Sequence, residues 1–175
     1  MIKRFRRTAA AVTATVALGI GAAAWATSSA DAASAATPRC TAGNLAVWVN
    51  ADSGNGALGT IFYHLDFTNI SGHTCHLFGY PGVSATSFGG RQLGPAARRD
   101  SGVPATTVNI VPGGTAHAVL GWVDAQLAPA CHPARADFLR VFPPNATAAR
   151  HAFFGVPVCT TNRIDLTIRR VQPGA

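Results

Sequence analysis

Hydrophobic and polar residues alternate along several short stretches, most clearly just before residue 68. There Ile61, Tyr63, Leu65 and Phe67 alternate with a second row of residues that includes Asp66. A period of two is typical of a β-strand with one buried face, so we expect the Asp66 face to meet water at one end. Further strands are predicted at 44–50, 83–88, 106–111, 116–124, 138–142 and 163–171, with a strand or loop near Phe153.

Residues that favour turns separate these strands. Glycine and asparagine tolerate positive φ, and proline presets φ for a chain reversal. Turns are predicted within 51–60, at Asp52–Gly56 with its Asn55-Gly56 pair, and at 69–72, 79–82 and 112–114. Residues 91–104 show little periodicity and are predicted to form a loop, and 146–151 is the one place where a helical turn could form. In the last strand, Ile164, Leu166 and Ile168 are expected to point inward and Asp165 outward. The pattern predicts an all-β protein, an antiparallel immunoglobulin-like β-sandwich of seven to eight strands.

The first residues have the order of a secretory signal peptide. Basic residues at 3–7 precede an alanine-rich, uncharged run, which ends at Ala30-Asp31-Ala32. This order predicts cleavage after Ala32 rather than a permanent membrane span, since the run is only weakly hydrophobic. No cysteine stands at the cleavage point, so we expect a secreted, extracellular protein with no membrane contact. The expected organisation is a signal peptide (1–32), a disordered lead (33–39), a β-sandwich domain (40–171) and a short tail (172–175).

Four cysteines follow the predicted cleavage site: Cys40, Cys75, Cys131 and Cys159. An even number of cysteines in an exported chain indicates disulfides. Three connectivities are possible, and we predict the sequential one, Cys40–Cys75 with Cys131–Cys159. Each bridge would close a loop of about 30 residues and stabilise the fold by about 3–4 kcal/mol.

The charge balance changes once the signal peptide is set aside. The whole chain carries a net charge of +7, but residues 33–175 hold ten arginines and six aspartates, a net charge of +4 with no glutamate. Only Arg98-Arg99 and Arg169-Arg170 are adjacent pairs. Nucleic-acid-binding proteins cluster their basic residues on one face, so this spread predicts no nucleic-acid partner. We expect a single-domain monomer.

Several stretches together resemble one known family. They are Cys40, the stretch FTNISGHTCHLFGYPGV at 67–83, the stretch VPGGTAHAVLGW at 111–122, and the late cysteines Cys131 and Cys159. This combination resembles the domain-of-unknown-function family 4232 of exported actinobacterial domains, over residues 40–171. The resemblance implies an exported single β-domain and no established activity, substrate or catalytic residue. The chain lacks the lipobox of the lipoprotein members.

His73, Cys75 and His76 are the candidates for metal chemistry, because imidazole and thiolate suit zinc or copper. A cysteine in a disulfide is no longer a ligand, and His73 and His76 would then need help from His64 or His117. We therefore interpret them as surface histidines and expect no metal and no cofactor.

The sequence contains few of the residue patterns that catalysis would require. There is no G-x-S-x-G motif, no glutamate for a carboxylate pair, and no free cysteine if all four pair. Most aromatic residues are needed for the core. Adjacent residues in a strand face opposite sides, so one of Phe153 and Phe154 is expected to be exposed.

The sequence thus predicts a secreted, non-catalytic β-sandwich module that binds a protein or a cell-wall polymer. Two alternatives stay open. The first is an inhibitor of secreted proteases that presents the 91–104 loop. The second is an extracellular metal-binding protein that uses His73 and His76.

Overall fold

A computed structural model of the chain describes residues 36–57 and 59–174, which form an all-β domain. The predicted signal peptide lies outside the described residues. The strands are β1 (Leu45–Ala57), β2 (Thr60–Asn69), β3 (Cys75–Phe78), β4 (Gly82–Thr86), β5 (Arg98–Arg99), β6 (Thr107–Ile110), β7 (Thr115–Val123), β8 (Pro133–Arg135), β9 (Phe138–Phe142), β10 (Arg150–Phe153), β11 (Pro157–Cys159) and β12 (Leu166–Pro173). Single 3-10 turns lie at Ala42–Asn44 and Ala125–Leu127. None of the helices in this described part is long and apolar enough to cross a membrane.

Two main sheets enclose the core. The first has the order β1-β2-β7-β12-β5 and the second the order β10-β9-β4, while β3–β6 and β8–β11 form separate pairs. All pairings are antiparallel except β12 with β5. The predicted all-β fold class is confirmed. The described residues contain twelve strands rather than seven or eight, because β3, β5, β8 and β11 were not predicted, each having four residues or fewer, too few to show a period.

The inward rows of the two sheets form one hydrophobic cluster. Leu65, Phe67 and Leu120 from the five-stranded sheet and Leu139 and Val141 from the three-stranded sheet are fully buried in it. Burying such a side chain is worth about 1.5–3 kcal/mol. The period-two pattern at 61–67 therefore predicted both the strand and its buried face correctly.

Both predicted disulfides are confirmed, Cys40–Cys75 and Cys131–Cys159. The first bridge fixes the start of the domain against β3. The N–H of Cys40 donates to the carbonyl of His76, and the N–H of His76 donates to the carbonyl of Pro38, both at 2.9 Å. Residues 37–39, which belong to the predicted lead, are thus hydrogen-bonded along β3.

The turn predicted within 51–60 lies further along the chain than expected. β1 continues to Ala57, and the reversal falls next to Gly59, whose φ is +79°. The pairing is irregular between Asn50 and Asn55. There the Ser53 hydroxyl donates to the carbonyl of Asn50 (2.6 Å) and accepts the N–H of His64 (2.7 Å). A side chain therefore bridges the two strands across the bulge, and the Asn-Gly pair does not form the turn.

The start of the last strand also differs from the prediction. β12 begins at Leu166, Ile164 is 47% exposed, and Asp165 is buried. The Asp165 carboxylate accepts the N–H of Cys159 at 2.6 Å, which places it beneath the Cys131–Cys159 bridge. Burial raises the pKa of Asp165, while this hydrogen bond opposes the rise. The inward placement of Ile164 and the outward placement of Asp165 were wrong, because a specific hydrogen bond overrides the alternation.

Asn69 organises the turn at 69–72 through its side chain. Its Nδ2 donates to the carbonyls of His73 (2.8 Å) and Ile110 (2.9 Å), and its Oδ1 accepts the N–H of Ser71 (2.9 Å). The backbone of Asn69 also exchanges hydrogen bonds with Gly113 and Gly114 in the turn before β7. The stretch therefore ties two turns together, which is a scaffold role.

Candidate functional site

The histidines considered for metal binding do not converge. His73 is exposed in the turn after β2, and His76 lies in β3 with its Nδ1 2.9 Å from the carbonyl oxygen of Thr37. Cys75 is held in the disulfide with Cys40. His64 and His117 stack on each other, at 4.1 Å between ring centroids. Across residues 36–57 and 59–174, no group of three His, Cys, Asp or Glu side chains is placed to hold a metal ion.

The 91–104 loop is fastened to both sheets. The N–H groups of Leu93 and Ala97 donate to β4, at the carbonyls of Ala85 (2.9 Å) and Val83 (2.8 Å). Arg98 and Arg99 then form β5, parallel to β12. An inhibitor must offer an extended, accessible backbone to the protease cleft, whereas here the arginine backbone is paired within a sheet. This geometry does not favour the inhibitor alternative.

A row of phenylalanines lies on the outer side of the three-stranded sheet. Phe138 in β9 pairs directly with Phe153 in β10, and Phe88 follows β4. The ring centroids are 6.2 Å apart for Phe138 and Phe153 and 6.1 Å apart for Phe138 and Phe88. Phe88 is 83% exposed and Phe153 is 69% exposed. We call Phe88, Phe138 and Phe153 the aromatic face.

The adjacent residue Phe154 has the opposite environment. It is buried and contacts Tyr63 and Trp122 edge to face, with centroid distances of 5.4 and 6.3 Å. The expectation that one of Phe153 and Phe154 is exposed is confirmed, and Phe153 is that residue. Most of the other aromatic residues were expected in the core, but Phe88 is exposed and Phe138 is half-buried. Phe88 lies outside it because the Gly89-Gly90 turn directs it away, and its N–H donates to the Asp137 carboxylate at 2.7 Å.

Basic side chains border the aromatic face. Arg140 and His151 form the cross-strand pair two positions from Phe138 and Phe153, which is the next pair on the same face of the sheet. Arg140 donates from Nη2 to the Gln92 side chain at 2.6 Å, and its buried Nε has no hydrogen-bond partner among the described residues. The tips of Arg135 and Phe153 both lie beside Gly155, where a Cβ atom would stand 2.7 Å and 3.2 Å from them. The face therefore has an apolar centre and a largely basic border.

The outer side of the five-stranded sheet is chemically different. Asp66 pairs across the sheet with Trp48 of β1 and His117 of β7, and it is fully buried. Neither of its carboxylate oxygens has a hydrogen-bond partner in the described part of the chain. Burial raises the pKa of Asp66, and the nearby side chains of His64, Asn50, His117 and Trp48 oppose the rise. Asp66 itself does not meet water, because neighbouring side chains cover the carboxylate, whereas Phe62, His64 and Thr68 on the same face are only half-buried.

A family model described as "Domain of unknown function (DUF4232)" matches residues 40–172. The chain belongs to the DUF4232 family. No curated protein and no solved structure matches it significantly. The family resemblance inferred from the sequence is confirmed, and the matched region of this DUF4232 domain includes both disulfides and the outer faces of both sheets.

Proposed function

We propose that this DUF4232 domain is an exported, non-catalytic module that binds a protein partner through the aromatic face. The observation that carries the proposal is the exposure of Phe88 and Phe153 beside Phe138. Contiguous exposed apolar patches on soluble proteins mark interaction sites, and aromatic residues are enriched in the centres of interfaces. The core does not need these rings, since both sheets already bury their inward rows.

The ring geometry favours a protein over a cell-wall polymer as the partner. The planes of Phe138 and Phe153 are at 83°, and those of Phe138 and Phe88 are at 42°. A sugar ring stacks on a flat aromatic surface, which rings tilted in this way do not offer. An apolar side chain of a protein partner can insert between tilted rings. The basic border at Arg135, Arg140 and His151 can then pair with carboxylates of the partner that surround this side chain.

Export and the absence of catalysis belong to the same proposal. The two disulfides support export, because such bridges persist in oxidising compartments outside the cytosol. Ser53, one of the serines available as a nucleophile, has its hydroxyl engaged by two backbone groups of the β1–β2 bulge. The buried Asp66 supports no acid–base pair by hydrogen bonding, since its oxygens have no partner among the described residues.

Site-specific photo-crosslinking tests the proposal. A photo-reactive phenylalanine analogue replaces Phe153 in the secreted protein, and crosslinked proteins are identified by mass spectrometry. The captured protein is then purified, and its affinity is measured for the wild type and for the Phe88→Ser/Phe153→Ser variant. Loss of both rings should weaken binding by at least about tenfold, as hot-spot aromatic residues do.

The matched control is Ile70→Ser, which removes another exposed apolar side chain, 59% exposed, outside the aromatic face. This control should bind like the wild type. Equal weakening by Ile70→Ser would remove the aromatic face from the proposal. Self-association that depends on Phe153, or co-sedimentation with purified cell walls that is lost in the Phe88→Ser/Phe153→Ser variant, would overturn it.

A further inference from the structure

The fold brings together arginines that are far apart in the sequence. β5 lies beside β12 in parallel, with Arg98 opposite Thr167 and Arg99 opposite Ile168. β12 then continues through Arg169 and Arg170. The two adjacent arginine pairs of the chain therefore meet at one edge of the five-stranded sheet. We call these four residues the arginine edge.

Few acidic groups balance this charge. Asp100 is the only acidic residue in β5, β12 or the segment between β5 and β6, so these segments together carry a net charge of +3. Arg169 donates from Nε to the Asp100 carboxylate at 3.0 Å. That hydrogen bond, followed by one from the N–H of Gly102, lowers the pKa of Asp100 from its ordinary value. One carboxylate is thus already bound at the arginine edge, and the other three guanidinium groups form no ion pair with a described acidic side chain.

Arg169 is held in place before any ligand arrives. Its guanidinium carbon lies 5.7 Å from the centroid of the Phe62 ring, and its Nε is fixed by Asp100. Arg170 donates from Nη1 to the Thr106 hydroxyl at 3.1 Å. Ordering these long side chains in the free protein lowers the entropy cost of binding. Arg98 and Arg99 are exposed, and their side chains form no hydrogen bond with other described residues.

Two open cavities meet at Arg169. One has a volume of about 350 Å³, the other about 200 Å³. The larger is lined by Asp100, Gly102, Val103, Arg169, Arg170 and Gln172, and the smaller by Asn55, Phe62, His64, Val119 and Arg169. The side chain of Arg169 therefore borders a concavity on either side.

We propose that the arginine edge binds a linear acidic polysaccharide. The carboxylate or phosphate groups of the polymer pair with Arg98, Arg169 and Arg170, because the planar guanidinium fork matches such oxyanions. Sugar residues on either side of one anionic group occupy the two cavities. This site lies on a different sheet from the aromatic face, and its chemistry is independent of the proposed protein partner.

The same geometry disfavours a single-stranded nucleic acid. Bases stack on open aromatic faces, and here the ring of Phe62 is already covered by Arg169. Tight binding to duplex nucleic acid uses contacts to many phosphates, more than this edge can make. Spaced anionic groups that are joined by uncharged sugar rings match a short edge with few charges.

Binding measurements with the secreted protein test the proposal. The probes are polygalacturonate, which carries carboxylates, and phosphomannan, which carries phosphates, with dextran as the neutral polymer and a single-stranded DNA oligomer as the competing class. Affinities are measured at low and near-physiological salt, because exposed charge pairs weaken with ionic strength. Either acidic polysaccharide should bind and dextran should not, and the stronger of the two identifies the anionic group.

Three variants locate the site. Arg98→Gln and Arg169→Gln should each weaken binding by about five- to tenfold, whereas Arg91→Gln, an exposed arginine elsewhere, should not. Arg98→Gln keeps the test valid if Arg169→Gln disturbs the fold. Equal weakening by Arg91→Gln would show attraction to net charge alone and overturn the proposal. Binding to neither polysaccharide, or tighter binding to the DNA oligomer, would overturn it as well.

Discussion

The two main sheets cover the same core, but their outer faces carry different kinds of side chain. The outer side of the three-stranded sheet carries three phenylalanines, of which Phe88 and Phe153 are largely exposed, whereas the five-stranded sheet carries half-buried histidines, exposed arginines and a buried aspartate. Both sheets contribute to one core, so the inward rows explain the stability of the fold and leave the outward rows unexplained. The difference teaches that exposed rings and a buried carboxylate are features that folding does not require.

The largest expected effect separates the inner and outer rows of the three-stranded sheet. Leu139→Ala removes a fully buried side chain and should lower the free energy of unfolding by about 3 kcal/mol. Phe153→Ala, on the outer side of the same sheet, should cost less than about 1 kcal/mol because its ring is mostly exposed. Urea unfolding of both variants checks this. Similar losses would mean that the aromatic face is part of the core.

The second effect concerns the buried carboxylate of the other face. Asp66→Asn should raise the free energy of unfolding at neutral pH by about 1 kcal/mol, since it removes a buried charge that has no hydrogen-bond partner among the described residues. The exposed Asp52→Asn is the control and should be neutral. Thermal unfolding measures both variants, and a loss of stability in Asp66→Asn would show that the carboxylate is compensated.

The pH dependence of that effect has a definite sign. The pKa of Asp66 is raised in the folded protein from its ordinary value of 3.8. The folded state therefore holds the proton more tightly, and this group's contribution to stability is lost as the pH rises from 3.8 through the raised value. The advantage of Asp66→Asn over the wild type should accordingly shrink towards low pH. An advantage that is independent of pH would contradict this account.

A smaller effect concerns the surface hydrophobicity of the two outer faces. Phe88→Ser/Phe153→Ser should elute markedly earlier than the wild type from a hydrophobic-interaction column, while Phe62→Ser on the five-stranded sheet should elute nearly unchanged, because Arg169 covers its ring. The double variant should lose no more than about 4 °C in Tm, as expected for exposed side chains. Equal shifts in elution would erase the contrast between the faces.

The smallest effect is expected at the ion pair of the arginine edge. Arg169→Gln should change the free energy of unfolding by no more than about 0.5 kcal/mol, because both partners are about half exposed. The pKa of Asp100, now lowered chiefly by the Arg169 hydrogen bond, should rise towards its ordinary value in the variant. NMR titration of the Asp100 carboxyl carbon measures this change. An unchanged pKa would show that Gly102 alone holds the carboxylate.

The sequence predicted the parts of the fold that depend on local pattern. The period of two at 61–67 identified β2 and its buried face, and the even cysteine count together with the export signature led to both disulfides. The pattern could not reveal Asp165, because the hydrogen bond from Cys159 is made between side chain and backbone in three dimensions. The turn near Gly59 was misplaced for a similar reason, since the Ser53 hydroxyl continues the strand pairing.

The candidate sites were less accessible from the sequence. Phe153 was identified through its adjacency to Phe154, but Phe88 in the turn after β4 and Phe138 in β9 come together only in the folded domain. The arginines looked dispersed, because a parallel pairing of β5 with β12 has no signal in a two-residue strand. His73 and His76 are three positions apart in the sequence but do not converge, because His73 is exposed and the Nδ1 of His76 lies against the Thr37 carbonyl oxygen.

The two disulfides also determine how the domain would respond to a pulling force. Cys40–Cys75 joins residues 35 positions apart, and Cys131–Cys159 joins residues 28 positions apart. The chain between the two cysteines of a bridge cannot extend while that bridge is intact. Force applied at the ends would therefore release only the segments outside the two covalent rings. Reduction would add about 120 Å and about 100 Å of extended chain, respectively. Asp66 lies in the first ring and Phe138 and Phe153 in the second, whereas Phe88 and the arginine edge lie outside both rings, so force would separate Phe88 from the rest of the aromatic face.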